Sequence, residues 1–342
     1  MPSTNQVILN APLDMHLHLR DGEMLDNIVN GSAHTFSGAI IMPNLVPPVT
    51  SKEAVIAYKE RIMHAIGDEK FTPYMTLFFK PSYDKAFLES VRDDITALKL
   101  YPAGITTNSE GGVSGFDVEE LRPALSAMSE LNLPLCVHGE TNGFVMDREA
   151  EFVSIYEELA TAFPDLKIIM EHITTKESVA ALDKFENLYA TITIHHLLIT
   201  LDDVAGGMLQ PHLFCKPIAK RPEDREALLK VALAAHPKVM FGSDSAPHPK
   251  HAKESCGCAA GVFTAPVALQ LLTELFEKND ASLENLQAFV SGNAQHIYGV
   301  TPLSKTVTLE KKPFKIPSDY NGIVPMYANE EIAYSIQEVK NG

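Results

Sequence analysis

The segment Asp14-Met15-His16-Leu17-His18-Leu19-Arg20 is the strongest chemical signal in the sequence. In an extended chain, residues two apart share a face, so His16 and His18 present two imidazoles to one point. That is the pattern of a metal-binding pair, although two structural histidines would give the same spacing. Three further residues each end an apolar run: His138 in LPLCVHGE, His172 in LKIIMEHI and Asp244 in KVMFGSDSAPH. Lys99 lies in ALKLYP between Leu98 and Leu100, and alternation turns it away from both leucines. A buried ammonium is costly and repels metal cations, and its ordinary partner would be a carboxylate. A neutral lysine amine has another option. It can capture carbon dioxide as a carbamate, an anionic two-oxygen ligand able to bridge two metal ions.

These residues come together only if the elements carrying them do. Strand candidates fall at 7–18, 38–45, 71–79, 95–101, 133–139, 166–173, 188–198 and 238–244, a spacing near 33 residues. Helix-like amphipathic stretches separate them at 51–66, 82–95, 117–131, 147–163 and 225–236. That repeat suits a βα unit of about 30 residues, and eight of them predict a (β/α)8 barrel, with a doubly wound open sheet as the alternative. A barrel gathers the C-terminal ends of its strands at one mouth, which is where the histidines and Asp244 are expected. Two further helices are expected at 265–278 and 282–299. The tail after about 302 reads as a surface wrap of the same domain, so the sequence predicts one barrel domain over 1–342.

Composition narrows the class. The chain has 342 residues, 45% hydrophobic and 21% charged, enough to build a large core and too apolar for disorder. Its formal net charge of −16, with no basic block, disfavours a nucleic-acid or anionic-membrane surface. No apolar run approaches the roughly 18 residues of a membrane span. The opening MPSTNQVILN shows no basic-then-apolar leader, and four scattered cysteines fit a reducing, cytoplasmic setting.

Taken together, H-L-H on strand one, a lysine on strand four, histidines on five and six, and aspartate on eight resemble the amidohydrolase superfamily. The likeness sharpens to the shorter bacterial-type class of dihydroorotases through DMHLHLRDGEML, IIMPNLVPP, KLYPAGITTNS, VHGE, EHITT, KPIAKRPEDR and GSDSAPH, over about residues 7–300. The resemblance implies two zinc ions, one held by His16, His18, Lys99 and Asp244, the other by Lys99, His138 and His172, with Lys99 carboxylated. It assigns Arg20, Asn44 and His248 to the substrate carboxylate, and Ala260, or its neighbour Ala259, to a backbone contact with the substrate ring. It also implies a homodimer. The reaction would interconvert (S)-dihydroorotate and N-carbamoyl-L-aspartate through a metal-bridged hydroxide. Asp244 would take its proton and return it to the leaving nitrogen.

The loop Gly104–Gly112 starts five residues after Lys99 and resembles that family's mobile substrate loop, with Thr106 and Thr107 as hydroxyl donors to substrate. Other candidates read as bland. His195-His196 would close the seventh strand as lining or structural residues, Cys256-x-Cys258 as free thiols, and Gly111-Gly112 as loop flexibility. Two rival functions remain: a hydantoinase- or allantoinase-type cyclic amidase, expected to lack the Arg20 and Asn44 grip, and a non-catalytic barrel scaffold, expected to have lost ligands.

Overall fold

Short aliphatic runs, buried on both faces, make the central strands of the computed structural model, which describes residues 5–342. After β1 (Gln6–Asn10) come β2 (Leu13–Leu17), β3 (Gly38–Ile41), β4 (Thr72–Phe78), β5 (Ala97–Leu100), β6 (Leu135–Val137), β7 (Ile168–Met170), β8 (Leu188–Ile192) and β9 (Val239–Phe241). From β2 to β9 these form one eight-stranded parallel sheet in chain order. Helices cover its outer face, several started by a side-chain cap. Asp21 precedes Gly22–Ala33, Ser51 precedes Lys52–Ile66, and Asp84 precedes Lys85–Val91. The expected (β/α)8 barrel is the fold observed.

The last strand meets the first through their C-terminal extensions. Asp244 N–H donates to the His16 carbonyl at 2.8 Å, and His18 N–H donates to the Ser245 carbonyl at 3.2 Å. Asp14 staples the same seam, accepting from Ser243 N–H at 2.7 Å and from Ser243 Oγ at 2.5 Å. Gly242 must lack a side chain here, because a Cβ would lie 2.9 Å from the Cβ of His16. Closure therefore fixes His16, His18 and Asp244 on one piece of hydrogen-bonded backbone.

The lower barrel interior is filled by Leu13, Met15, Ile40, Met42, Ala97, Cys136, Ile169 and Met240, with Ala294 and Ile297 from helix Asn293–Tyr298 as a plug. On β2 the face switches. Leu13 and Met15 point inward, yet Leu17 and Leu19 join the outer core, and the pairing with β3 is irregular between Asp14 and Leu17. A local irregularity of this kind re-aims side chains, and here it turns both histidines into the barrel.

Three expectations are corrected. The run 7–18 is two strands: β1 leaves the barrel and pairs antiparallel with β10 (Lys305–Glu310). The tail is not a featureless wrap. After β10 come β11 (Phe314–Lys315) and β12 (Glu331–Ile332), which pair with each other, and β13 (Ser335–Asn341) pairs with β10. The run 188–198 is a strand only to Ile192. His195 and His196 lie on a short helix, Ile194–Leu198, whose N-cap Thr193 accepts from His196 N–H. The region 282–299 is helical as expected, with a π-turn at Ala288–Gly292.

Candidate metal centre and substrate site

Each proposed ligand stands at or just beyond a strand end and is buried. His16 is on β2 and His18 follows it; Lys99 is on β5; His138, His172 and Asp244 follow β6, β7 and β9. On three of the four imidazoles the nitrogen turned away from the centre is held by a partner that fixes its tautomer, whereas His172 Nδ1 has no hydrogen-bond partner among the described residues. His16 Nδ1 is 2.6 Å from Glu171 Oε2, which also accepts from Thr191 Oγ1 at 2.6 Å. His18 Nδ1 donates to Asn44 Oδ1 at 2.9 Å, and His138 Nε2 donates to Glu140 Oε2 at 2.7 Å. A donor nitrogen on one side leaves a lone pair on the other, the arrangement that orients and strengthens a metal-binding imidazole.

Those lone pairs converge. His16 Nε2 and His18 Nε2 lie 3.5 and 3.1 Å from Asp244 Oδ1. His138 Nδ1 and His172 Nε2 face each other at 3.2 Å. The two groups adjoin, with the His16 and His172 ring centroids 4.9 Å apart. Burial pushes the pKa of His16 down, and those of His18 and His172 well down, so all three are neutral bases at pH 7. Burial also lowers Lys99 and raises Asp244. For Glu171, burial acts upward, but His16 and Lys99 bring it net below the usual carboxylate range.

The residues fit a cation-binding centre by a simple test. His16 Nε2 and Lys99 Nζ are fully enclosed and have no hydrogen-bond partner among the described residues. A polar atom left in that condition costs about 1–3 kcal/mol unless something charged meets it. Lys99 Nζ, 5.0 Å from the Tyr101 ring centroid, fits such a centre only as the neutral amine or its carbamate, because an ammonium would repel the cation. Three of the eleven non-glycine residues with positive φ among the described residues are also here. His172, Asp244 and Arg20 have φ values of 41°, 41° and 57°. Left-handed, non-glycine residues of this kind cost on the order of 1–3 kcal/mol each and cluster at functional sites.

Beside the centre, Arg20 Nε donates to the Pro247 carbonyl at 3.1 Å, and its Nη2 lies 3.0 Å from His248 Nε2. That same nitrogen is 3.0 Å from the Ala260 carbonyl. Burial and the Arg20 charge bring His248 down to about 3, so it is neutral and Nε2 serves one partner at a time. Arg20, Asn44, Thr106, Thr107 and Ala260 line one cavity with His16, His18, His138, His172 and Asp244. Of the two alanines, Ala260 faces the cavity, while the Ala259 carbonyl accepts from Lys253 Nζ at 2.7 Å. From the loop Gly104–Gly112, Thr106 and Thr107 reach this cavity.

Sequence reasoning missed Glu140, Glu171 and Lys216. The two glutamates sit in the VHGE and EHITT segments, where a carboxylate two residues after or one before a candidate ligand was the available signal. Lys216 lines the cavity and was hidden in KPIAKR.

Comparison with known proteins agrees with this geometry. The amidohydrolase family model matches residues 79–300. A Helicobacter pylori dihydroorotase is 43% identical over 340 residues, 98% of this chain and 99% of that protein. The crystal structure of the Campylobacter jejuni dihydroorotase superposes with a TM-score of 0.95 at 57% identity, covering 99% of both chains. The chain belongs to the dihydroorotase family. A Saccharomyces cerevisiae member, solved in complex with 5-fluoroorotic acid, matches at a TM-score of 0.91 and 34% identity over 98% of this chain and 99% of that one. The hydantoinase alternative has weaker footing, since an Arthrobacter aurescens L-hydantoinase is 17% identical and shares the fold alone.

Proposed function

We propose that this chain is a metal-dependent dihydroorotase that interconverts (S)-dihydroorotate and N-carbamoyl-L-aspartate, a step of pyrimidine biosynthesis in the cytoplasm. The observation carrying this reading is the pairing, within one cavity, of converging imidazole lone pairs with Arg20 and Asn44, His248 standing beside Arg20. The first suits a metal-assisted hydrolase and the second suits a carboxylate. In this reading His16, His18, Lys99 and Asp244 hold one zinc ion, and Lys99, His138 and His172 hold a second, with Lys99 as its carbamate. When bound, such ions polarise the ring amide carbonyl and acidify a water towards neutrality.

The chain's own residues do the rest. Arg20 presents a planar guanidinium fork, braced through Nε by the Pro247 carbonyl, to the substrate carboxylate. His248, neutral, adds a donor or acceptor beside it, and the Ala260 backbone meets the ring. Asp244 moves one proton at its carboxylate, taking it from water and delivering it to the ring nitrogen as the amide opens. In the other direction the same carboxylate receives the nitrogen's proton as the ring closes with loss of water. Thr106 and Thr107, on the loop above, bond to the substrate and exclude water, which favours the water-releasing cyclisation.

Assay of the purified protein on N-carbamoyl-L-aspartate and on hydantoin tests the assignment. Turnover of the first but not the second is expected. Preference for hydantoin would return the chain to the cyclic-amidase reading, and activity on neither would favour a scaffold.

A further inference from the structure

The loop over the site is held from two banks. On one, Asn44 Nδ2 donates to the Thr107 carbonyl at 3.0 Å, and Asn108 Nδ2 donates to the Asn44 carbonyl at 3.0 Å. On the other, Lys216 Nζ donates to the Ile105 carbonyl at 2.9 Å. The carbonyls of 105 and 107 bracket Thr106, so the two attachments together fix the stretch that carries both threonines. Thr106 N–H is occupied locally by Ser109 Oγ at 3.0 Å, and the far end of the loop is met by Lys80 at the Gly111 carbonyl.

Lys216 is well placed to hold something that moves. Its own segment is tied down by the buried Lys253, whose Nζ donates to the carbonyls of Phe214, Ala259 and Gly261 at 2.9, 2.7 and 2.7 Å. The backbone two residues before Lys216 and the backbone on either side of Ala260 are thus one unit. Lys216 itself is only half-buried, and among the described residues it forms no ion pair. Its ammonium is directed to a loop carbonyl, and a charged donor makes a stronger bond than a neutral one.

We propose that Lys216 is the latch of this loop. It is a positioning residue that keeps Gly104–Gly112 closed through the Ile105 carbonyl, so that Thr106 and Thr107 face the substrate. The proposal rests on the functional reading above for its kinetic consequences, while loop closure itself is independent of that reading. An apolar side chain at 216 would leave the Ile105 carbonyl without its charged donor and free this end of the loop.

The sequence contains no tryptophan, so Glu110→Trp places a single indole on the exposed part of the loop. All further variants are compared in that background. Lys216→Met should raise acrylamide quenching of the indole about twofold and raise KM for N-carbamoyl-L-aspartate at least about fivefold, with metal content and far-UV spectrum unchanged. Lys216→Arg, which keeps a charged donor, should restore both. Unchanged quenching and KM in Lys216→Met, or changes that Lys216→Arg fails to restore, would overturn the latch. A parent protein without turnover would count against the functional reading alone, because quenching reports the loop without chemistry.

Discussion

The metal-side wall of the site and the loop above it are built in opposite ways. On the wall, every candidate ligand is buried at a strand end, and three of the four imidazoles are braced by a side chain that is itself enclosed: Glu171, Asn44 and Glu140. Three of the candidate ligands, His16, His18 and Asp244, also share the backbone seam that closes the barrel. The loop has no such frame. It is held through its carbonyls by side chains reaching from elsewhere, Asn44, Lys216 and Lys80. Chemistry that needs ligands placed to a fraction of an ångström uses the rigid part, and substrate entry uses the part whose bonds exchange readily with water. Asn44 joins the two, holding His18 with its Oδ1 and the loop with its Nδ2.

Removing a ligand from the wall should have the largest effect. Lys99→Ala is expected to lose the second metal and at least about a thousandfold in turnover, with small carboxylic acids restoring part of both. Normal activity in that variant would refute a bridging role for Lys99. Arg20→Met should spare both metals and still lose about 2–5 kcal/mol of stabilisation of a bound carboxylate, read as kcat/KM for dihydroorotate. Unchanged kinetics would mean that the carboxylate binds elsewhere.

The brace on His16 is the next weaker target. Glu171→Gln keeps the shape but loses the charge, so His16 should bind metal less well, by roughly 10- to 100-fold in a competition with a chelator. Equal affinity would show that the strand end alone orients the imidazole. The loop should give the smallest change. Thr106→Ala combined with Thr107→Gly is expected to cut turnover at least about tenfold, or ~1.4 kcal/mol of barrier, with metal content untouched. Near-normal turnover would make the segment a passive cover and would dissolve the contrast between the two regions.

The same contrast governs what could be read from sequence. Candidate ligands at strand ends were legible because alternation and the βα repeat fix where a strand ends and which way its residues point. The face switch on β2 was not, since a pairing irregularity leaves no mark in Leu-Asp-Met-His-Leu. Nor was the helix at His195-His196, because Ile194–Leu198 is an apolar run too short for periodicity to separate helix from strand, and only Thr193 as a cap hinted otherwise. β10 carries an alternating burial pattern in KTVTLE, yet its partner β1 lies some 300 residues away, so nothing local showed the pairing. Glu171 and Lys216 were overlooked for a related reason. Each acts on an element distant in sequence, and a charge beside a motif reads as ordinary until the fold shows what it faces.

We propose that the two adjoining sets of candidate ligands make a binuclear centre. Elemental analysis of protein purified without chelators tests it most directly. Close to two divalent metal ions per chain, most of them zinc, are expected in fully active enzyme. A value of one at full activity would contradict it.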